Sequence, residues 1–452
     1  MSDRIRRIVS LDRRTFLAAL TGAATLPNAA WAATTWKAGV ATADITPKTS
    51  IWMAGYAART QPAQGTSQPL HAKALAIEGA NRQRFVVVTL DLLGVTTGMS
   101  SRIGAAVARR HRVPRERLLL ASSHTHSGPV VDTQLMVAYD VTPAQVRDVE
   151  AYTATLEAQI VDLVGAAIKG LAPATLHAGD TTVTFGANRR VQFTPDGPSD
   201  PRVPMLRVDI GGAPRAVLFS YACHNTTLPA THVEWHGDYA GVAQARIEAM
   251  RPGLTALFMA GCGADINPKP RGTRETVDQH GETLASAVVA ALAGLTPVSG
   301  PTRAALEWVD LPFEAALTPD QWKSRFGLAD PYVERHAVLM AGIKAREGTL
   351  PTSQRMPVQV WRFGRDVTLV TLGGEVVVDY ALRLRREYAD DDVWPVGYAN
   401  DVFGYVPSAR VLKEGGYEGG GALLYYGRPG PFDATVEDRI FAALARLMRS
   451  TR

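Results

Sequence analysis

The residues best suited to chemistry begin with His124-Thr125-His126. In an extended segment, positions i and i+2 point to the same side. Neutral imidazole is also the commonest side-chain metal ligand. One ring can therefore take a metal while the other meets a substrate; the alternative is a pair of rings hydrogen-bonded within a loop. His224 opens a second group, with His232, His236 and Asp238 close behind. Such clustering suits a metal or acid–base site, with His232 and His236 expected as supporting or surface residues rather than ligands. Glu375 follows Leu369 to Gly374 and is expected to begin a helix. Its carboxylate either completes a metal site or sits in a first turn, favoured there by the helix dipole. Tyr398, Tyr405 and Tyr417 lie in glycine-rich segments, where a phenol can bind a metal, donate to an oxyanion, or simply pack with its hydroxyl exposed.

These residues must be positioned by the elements around them. Trp36–Ile45 reads as a strand. Ala72–Ile77 and Arg84–Leu93 read as a hairpin, and Arg117–Ala121 as a short strand feeding the His-Thr-His segment. Thr142–Gly170 has helical spacing, with Leu156, Ile160, Leu163 and Ile168 on its apolar side. Strands follow at Thr175–Phe185, Met205–Ile210, Ala216–Cys223 and Thr255–Met259, interleaved with helices at Tyr239–Met250 and Glu282–Gly294. Ala304–Leu311 reads as a strand and Pro319–Glu347 as helices. Val358–Phe363 and Val367–Leu372 pair around Gly364-Arg365-Asp366. Val376–Tyr388 is helical, Trp394–Tyr398 a strand, and Ala434–Met448 a closing helix. This alternation predicts an α/β fold of mixed sheets layered with helices. Each candidate residue falls just after a strand, the edge where α/β sheets bind ligands.

The formal net charge is +5 over 452 residues, but five Arg and two Asp of the first 32 residues supply +3 of it. The remainder is nearly neutral, and no basic stripe with interleaved aromatics appears, so nucleic acid is not an expected partner. Arg4, Arg6 and Arg7 precede Asp12-Arg13-Arg14-Thr15-Phe16-Leu17, a short apolar stretch, and Ala30-Trp31-Ala32. That order resembles a twin-arginine export signal over residues 1–32, cleaved before Ala33. It predicts a periplasmic or secreted protein, with residues 33–452 as one hydrolase domain and no transmembrane segment in the mature chain. Cys223 and Cys262 end apolar runs. They can pair in an oxidising compartment or remain buried thiols; no CxxC metal spacing occurs.

Several segments, taken in order, resemble the neutral/alkaline ceramidase family, zinc amidases of the N-acyl bond of ceramide. They are Thr42 to Pro47, Met53 to Tyr56, Ser122 to Pro129, Asn188-Arg189, Tyr221 to Ala240, Gly263 to Pro268, Gly374-Glu375, Asn400 to Tyr405 and Tyr417 to Gly419. The resemblance spans about Gly39 to Gly420 and covers the catalytic part, without the further C-terminal β-sandwich of those enzymes. It implies a Zn2+ site made of His124, His224, Glu375 and Tyr405. It also implies His126, Arg189 and Tyr417 around the scissile carbonyl. One position departs: where the family carries a functional Ser, this chain has Asn267, in Gly263-Ala264-Asp265-Ile266-Asn267-Pro268. An amide is no nucleophile, but it can donate to an oxyanion or position a water.

The expected activity is hydrolysis of an amide, or an ester or lactone, in a small acylated or lipid-like substrate by metal-activated water. Asn267 favours a smaller or more soluble substrate over ceramide itself. Two alternatives stand beside this reading: a true ceramidase acting on N-acylsphingosine, and a non-catalytic zinc- or ligand-binding protein that has lost the family serine.

Overall fold

The computed structural model describes residues 36–452; the export-signal expectation lies outside them. Two sheets organise the fold. The larger has nine strands. Eight run in the order Thr255–Ala260, Ala213–Tyr221, Arg202–Ile210, Ala172–Thr182, Trp36–Asp44, His71–Glu78, Arg84–Leu90 and Leu118–Ser122, and Thr296–Val298 pairs with Ala172–Thr182. Its outermost pair at each end is parallel and the pairs between are antiparallel. The smaller sheet orders Thr302–Pro312, Ser353–Phe363, Val367–Leu372 and Val393–Val396.

The strands of the large sheet read as continuous apolar runs because both faces are covered. Leu75, Ile77, Phe85, Val87 and Leu119 point inward against Trp361, Phe363, Leu369 and Trp394 of the smaller sheet. The alternate residues Ala74, Ala76, Val86, Val88 and Leu120 point the other way, onto helices Thr97–His111 and Pro143–Lys169. The far end of that outer face is covered by Asp238–Met250 and Arg274–Ala291. The smaller sheet buries its second face against the helices Val378–Glu387 and Val436–Ser450. The layering is α/β, as the interleaved pattern predicts. Among the described residues, no helix is long and apolar enough to cross a membrane.

Local chemistry sets most boundaries. Thr142 and Gln145 form a reciprocal capping box at the start of the long helix, and Pro143 occupies its first turn. Most elements shift by a few residues from expectation, and two of the differences matter more. The helix predicted at Glu282–Gly294 begins at Arg274, capped by the Thr273 hydroxyl, because its first turns carry few apolar residues to announce them. Glu375 does not begin a helix. It lies in a two-residue strand, Glu375–Val376, paired with Tyr405–Val406, and the helix starts at Val378. Cys223 and Cys262 are both buried and unpaired.

Two features of this frame bring the site together. The first and last strands of the eight-strand order, Thr255–Ala260 and Leu118–Ser122, approach each other across the curved sheet. The loops leaving Leu118–Ser122 and Ala213–Tyr221 are then joined directly by a parallel bridge between Thr125 and Asn225. The Asn225 side chain fastens the junction, donating to Ser123 O and accepting from the Ala240 amide.

Candidate active site

His124 leaves the strand Leu118–Ser122 in a left-handed conformation, with φ of 62°. For a residue with a Cβ this conformation costs ~1–3 kcal/mol and persists only where its surroundings enforce it. Here they do: its backbone N–H donates to Leu92 O at 2.9 Å and its ring Nδ1 lies 2.7 Å from Leu93 O. His224 is held in the same manner, its N–H on Ile266 O at 3.0 Å and its Nδ1 3.0 Å from Gly263 O. Gly263 is required for that approach, since a Cβ there would lie 2.4 Å from the Ala222 carbonyl carbon. The strand pairing sets Glu375 directly opposite Tyr405.

The four implied ligands converge. Glu375 Oε2 is 3.1 Å from His124 Nε2 and 3.2 Å from His224 Nε2. The Tyr405 hydroxyl is 3.2 Å from His224 Nε2. These separations approach the ~3.3 Å edge of a tetrahedron with metal–ligand bonds of ~2.0–2.1 Å. Proton placement makes the same case. With Nδ1–H given to a carbonyl, each neutral ring turns an unshared pair toward the others. Burial, and then the Arg189 charge, lower the His224 pKa to about 4, so its ring is neutral at physiological pH. Glu375 is buried, which alone would raise its pKa; protonated imidazoles beside it would hold it well below the usual carboxylate range, and between neutral ones a cation would have to take that part. Its Oε2 has no hydrogen-bond donor among the described residues. Two lone pairs and an anionic oxygen without a donor, all buried, fit a divalent cation.

His126 also comes to this centre, its Nε2 3.2 Å from His124 Nε2, and His124, His126 and His224 together form a group that can hold a metal. It differs from the other two in one respect: its Nδ1 is buried without a partner. Burial first, and then the neighbouring imidazoles, hold its pKa well below that of a free imidazole. Its ring lies 4.8 Å from that of Tyr56, and Gly55 makes room for it, because a Cβ on Gly55 would stand 2.4 Å from the ring.

Arg189 follows the short strand Gly186–Asn188, which pairs with Ile266–Pro268. Its Nε donates to Glu418 at 2.7 Å, Nη2 to the Tyr405 hydroxyl at 2.9 Å and Nη1 to Asn267 Oδ1 at 3.3 Å. Arg190, fully buried, takes the other Glu418 oxygen at 2.5 Å, so one carboxylate clasps two guanidiniums. Tyr417, 45% exposed, stands at the rim with its ring 5.2 Å from that of Tyr405. Asn267 stands beside the Arg189 guanidinium. Its Oδ1 accepts from Arg189 and from the Thr226 hydroxyl, each at 3.3 Å. His232 and His236 stay outside the centre; the His236 ring accepts the Asp238 N–H at 2.8 Å and helps shape the start of a helix.

A cavity of ≈ 270 Å³ opens on the centre, lined by His124, His126, Glu375 and Tyr405 together with Tyr56, Leu135, Ala138, Tyr417, Tyr425 and Tyr426. Tyr426 was not legible in the sequence as a site residue. Its hydroxyl donates to Glu375 Oε1, leaving Oε2 for the imidazole side. A Tyr-Tyr pair beyond the last glycine cluster carries no spacing signal; only the chain path brings it here. Tyr426→Phe is expected to weaken metal affinity ~10–100-fold, as loss of an outer hydrogen bond on a ligand usually does. Competition with a chromogenic chelator measures this, and unchanged affinity would refute the role.

Comparisons with known proteins identify the family. Residues 36–296, more than half of the chain, match the family described as neutral/alkaline non-lysosomal ceramidase, N-terminal. A neutral ceramidase of Mycobacterium tuberculosis is 24% identical, over 91% of this chain and 76% of that protein. Among solved structures, neutral ceramidase from Pseudomonas aeruginosa superposes with a TM-score of 0.71 at 21% identity, covering 92% of this chain and 75% of that one. A ceramidase complexed with C2 gives 0.71 at 20% identity, covering 92% and 76%. The family match extends from the first strand of the large sheet past the last of the strands that carry the two imidazole loops, and the chain therefore belongs to the neutral/alkaline, non-lysosomal ceramidase family.

Proposed function

We propose that this member of the family is a zinc-dependent amidohydrolase that cleaves an acylated amide, with ester cleavage as a lesser activity of the same site. The observation that carries the reading is Glu375 Oε2, which finds no donor and faces two imidazole lone pairs. His124, His224, Glu375 and Tyr405 would hold the ion. When bound, zinc supplies a Lewis acid for the carbonyl and acidifies water from a pKa of ~15.7 to ~7.

The remaining work falls to the chain. His126 is neutral and turns its Nε2 to the centre, where it can take a proton from the attacking water and return it to the leaving nitrogen. Arg189 stands behind Tyr405 and donates to its oxygen. Burial holds the Tyr405 phenol well above its usual range, and the Arg189 charge works against that, as it also favours the negative charge that develops on the carbonyl oxygen. Tyr417 presents a phenol at the rim as a second donor to that oxygen. Asn267 is assigned a supporting part, bracing Arg189. Asn267→Ala is accordingly expected to lower kcat/KM by no more than ~10-fold. A loss above ~10²-fold in steady-state assays would return Asn267 to the reacting atoms.

The twin-arginine-type leader supports export to the periplasm or beyond, with residues 33–452 as one hydrolase domain. Two measurements on the purified mature protein test the catalytic reading: metal content, and hydrolysis of an amide and ester panel before and after chelation. Hydrolysis that survives complete metal removal would overturn it. Ceramide turnover equal to that of small amides would favour the true ceramidase alternative.

A further inference from the structure

The cavity above the proposed metal centre is small. At ≈ 270 Å³ it falls just below the ~300–1,000 Å³ usual for small-molecule sites. A two-chain N-acyl lipid would have to leave most of its carbons outside. Beyond the reaction centre the walls are uncharged: Ala57, Ala58, Leu135, Ala138 and Tyr425 offer apolar surface and no counter-charge for an ionic group.

Nor are these walls free to spread. The helix Asp330–Glu347 lies across them and is tied to both sides. The Tyr332 hydroxyl donates to Ala57 O at 3.2 Å, and its ring lies 5.2 Å from that of Tyr425. Three residues on, and so on the same helix face, Arg335 donates from Nε to Val137 O at 2.9 Å and from Nη2 to Ala138 O at 3.4 Å. The turn so held begins at Leu135, whose left-handed φ of 55° keeps it bent. Widening the cavity would break these ties together. Both braces lie beyond residues 36–296, the span that matches the family.

Resting on the hydrolytic reading above, we infer that this site selects short, uncharged acyl chains, and that Tyr332 and Arg335 set the length limit by tying its walls. The test is kcat/KM for a series of N-acylethanolamines, from acetyl through butanoyl and hexanoyl to dodecanoyl and hexadecanoyl. Detergent is held constant, released ethanolamine is measured, and metal content is checked for each protein. Efficiency is expected to peak between acetyl and hexanoyl and to fall at least ~10-fold by hexadecanoyl. Tyr332→Ala should move the fall to longer chains, and Ala138→Leu, which fills the cavity, to shorter ones. A flat profile, or one rising to hexadecanoyl, overturns the selectivity. A wild-type fall left in place by both variants overturns the assignment to these walls. No turnover of any member by metal-loaded protein overturns the hydrolytic reading itself.

Discussion

Replacing His224 by Ala is expected to abolish stoichiometric metal binding and to lower kcat/KM by at least ~10³-fold. The imidazole is buried and enters the centre from a strand far along the sheet from the one that delivers His124. Its Nδ1 contact with Gly263 O and its backbone bond to Ile266 O fix its direction of approach. Its removal also takes away one of the two rings facing Glu375 Oε2, an oxygen without other partners. Elemental analysis of the variant, with far-UV circular dichroism to confirm folding, measures the effect. Chelated wild-type protein should show the same loss and regain activity when zinc is restored; the variant should not. A folded His224→Ala protein retaining one zinc per chain would require a different ligand set, with His126 the first substitute.

The second large effect is expected at Arg189. Arg189→Met should lower kcat/KM ~10²–10³-fold while leaving metal content close to one per chain. The guanidinium donates to the Tyr405 oxygen, to Glu418 and to Asn267, so its loss takes the charged donor from a phenol oxygen beside the reacting atoms. Arg190 continues to neutralise Glu418, and the fold is therefore expected to survive. Arg189→Lys should recover only part of the loss, because an ammonium cannot reach three acceptors in the planar fork of a guanidinium. Separate kcat and KM values decide between roles. A fall confined to KM would make Arg189 a binding group, and full activity in the Met variant would remove it from the reaction.

Much of the frame was legible because its signals are local. Thr142, Pro143 and Gln145 mark the start of the long helix by their own hydrogen-bonding and backbone preferences. The apolar runs at Arg84–Leu90 and Val367–Leu372 mark strands because each strand is covered on both faces. The helix starting at Arg274 was read short because its polar opening turns show little apolar periodicity. The short strand at Glu375 escaped notice because two residues carry no period, and its partner lies beyond a helix and another strand.

The sequence by itself determined which residues were available for chemistry: the His-Thr-His pair, His224, the carboxylate after two glycines, and the tyrosines among glycines. It also marked the departure at Asn267. Only the tertiary structure decided their geometry. It brought the edge strands of one sheet near each other, so that two imidazoles meet over Glu375. It turned Tyr426 onto the second oxygen of that carboxylate and turned Asn267 toward Arg189. These are contacts between residues far apart in the chain, set by how a sheet curves and where a loop returns. Residue type and spacing encode a side chain's chemistry, but not the distance at which it meets another.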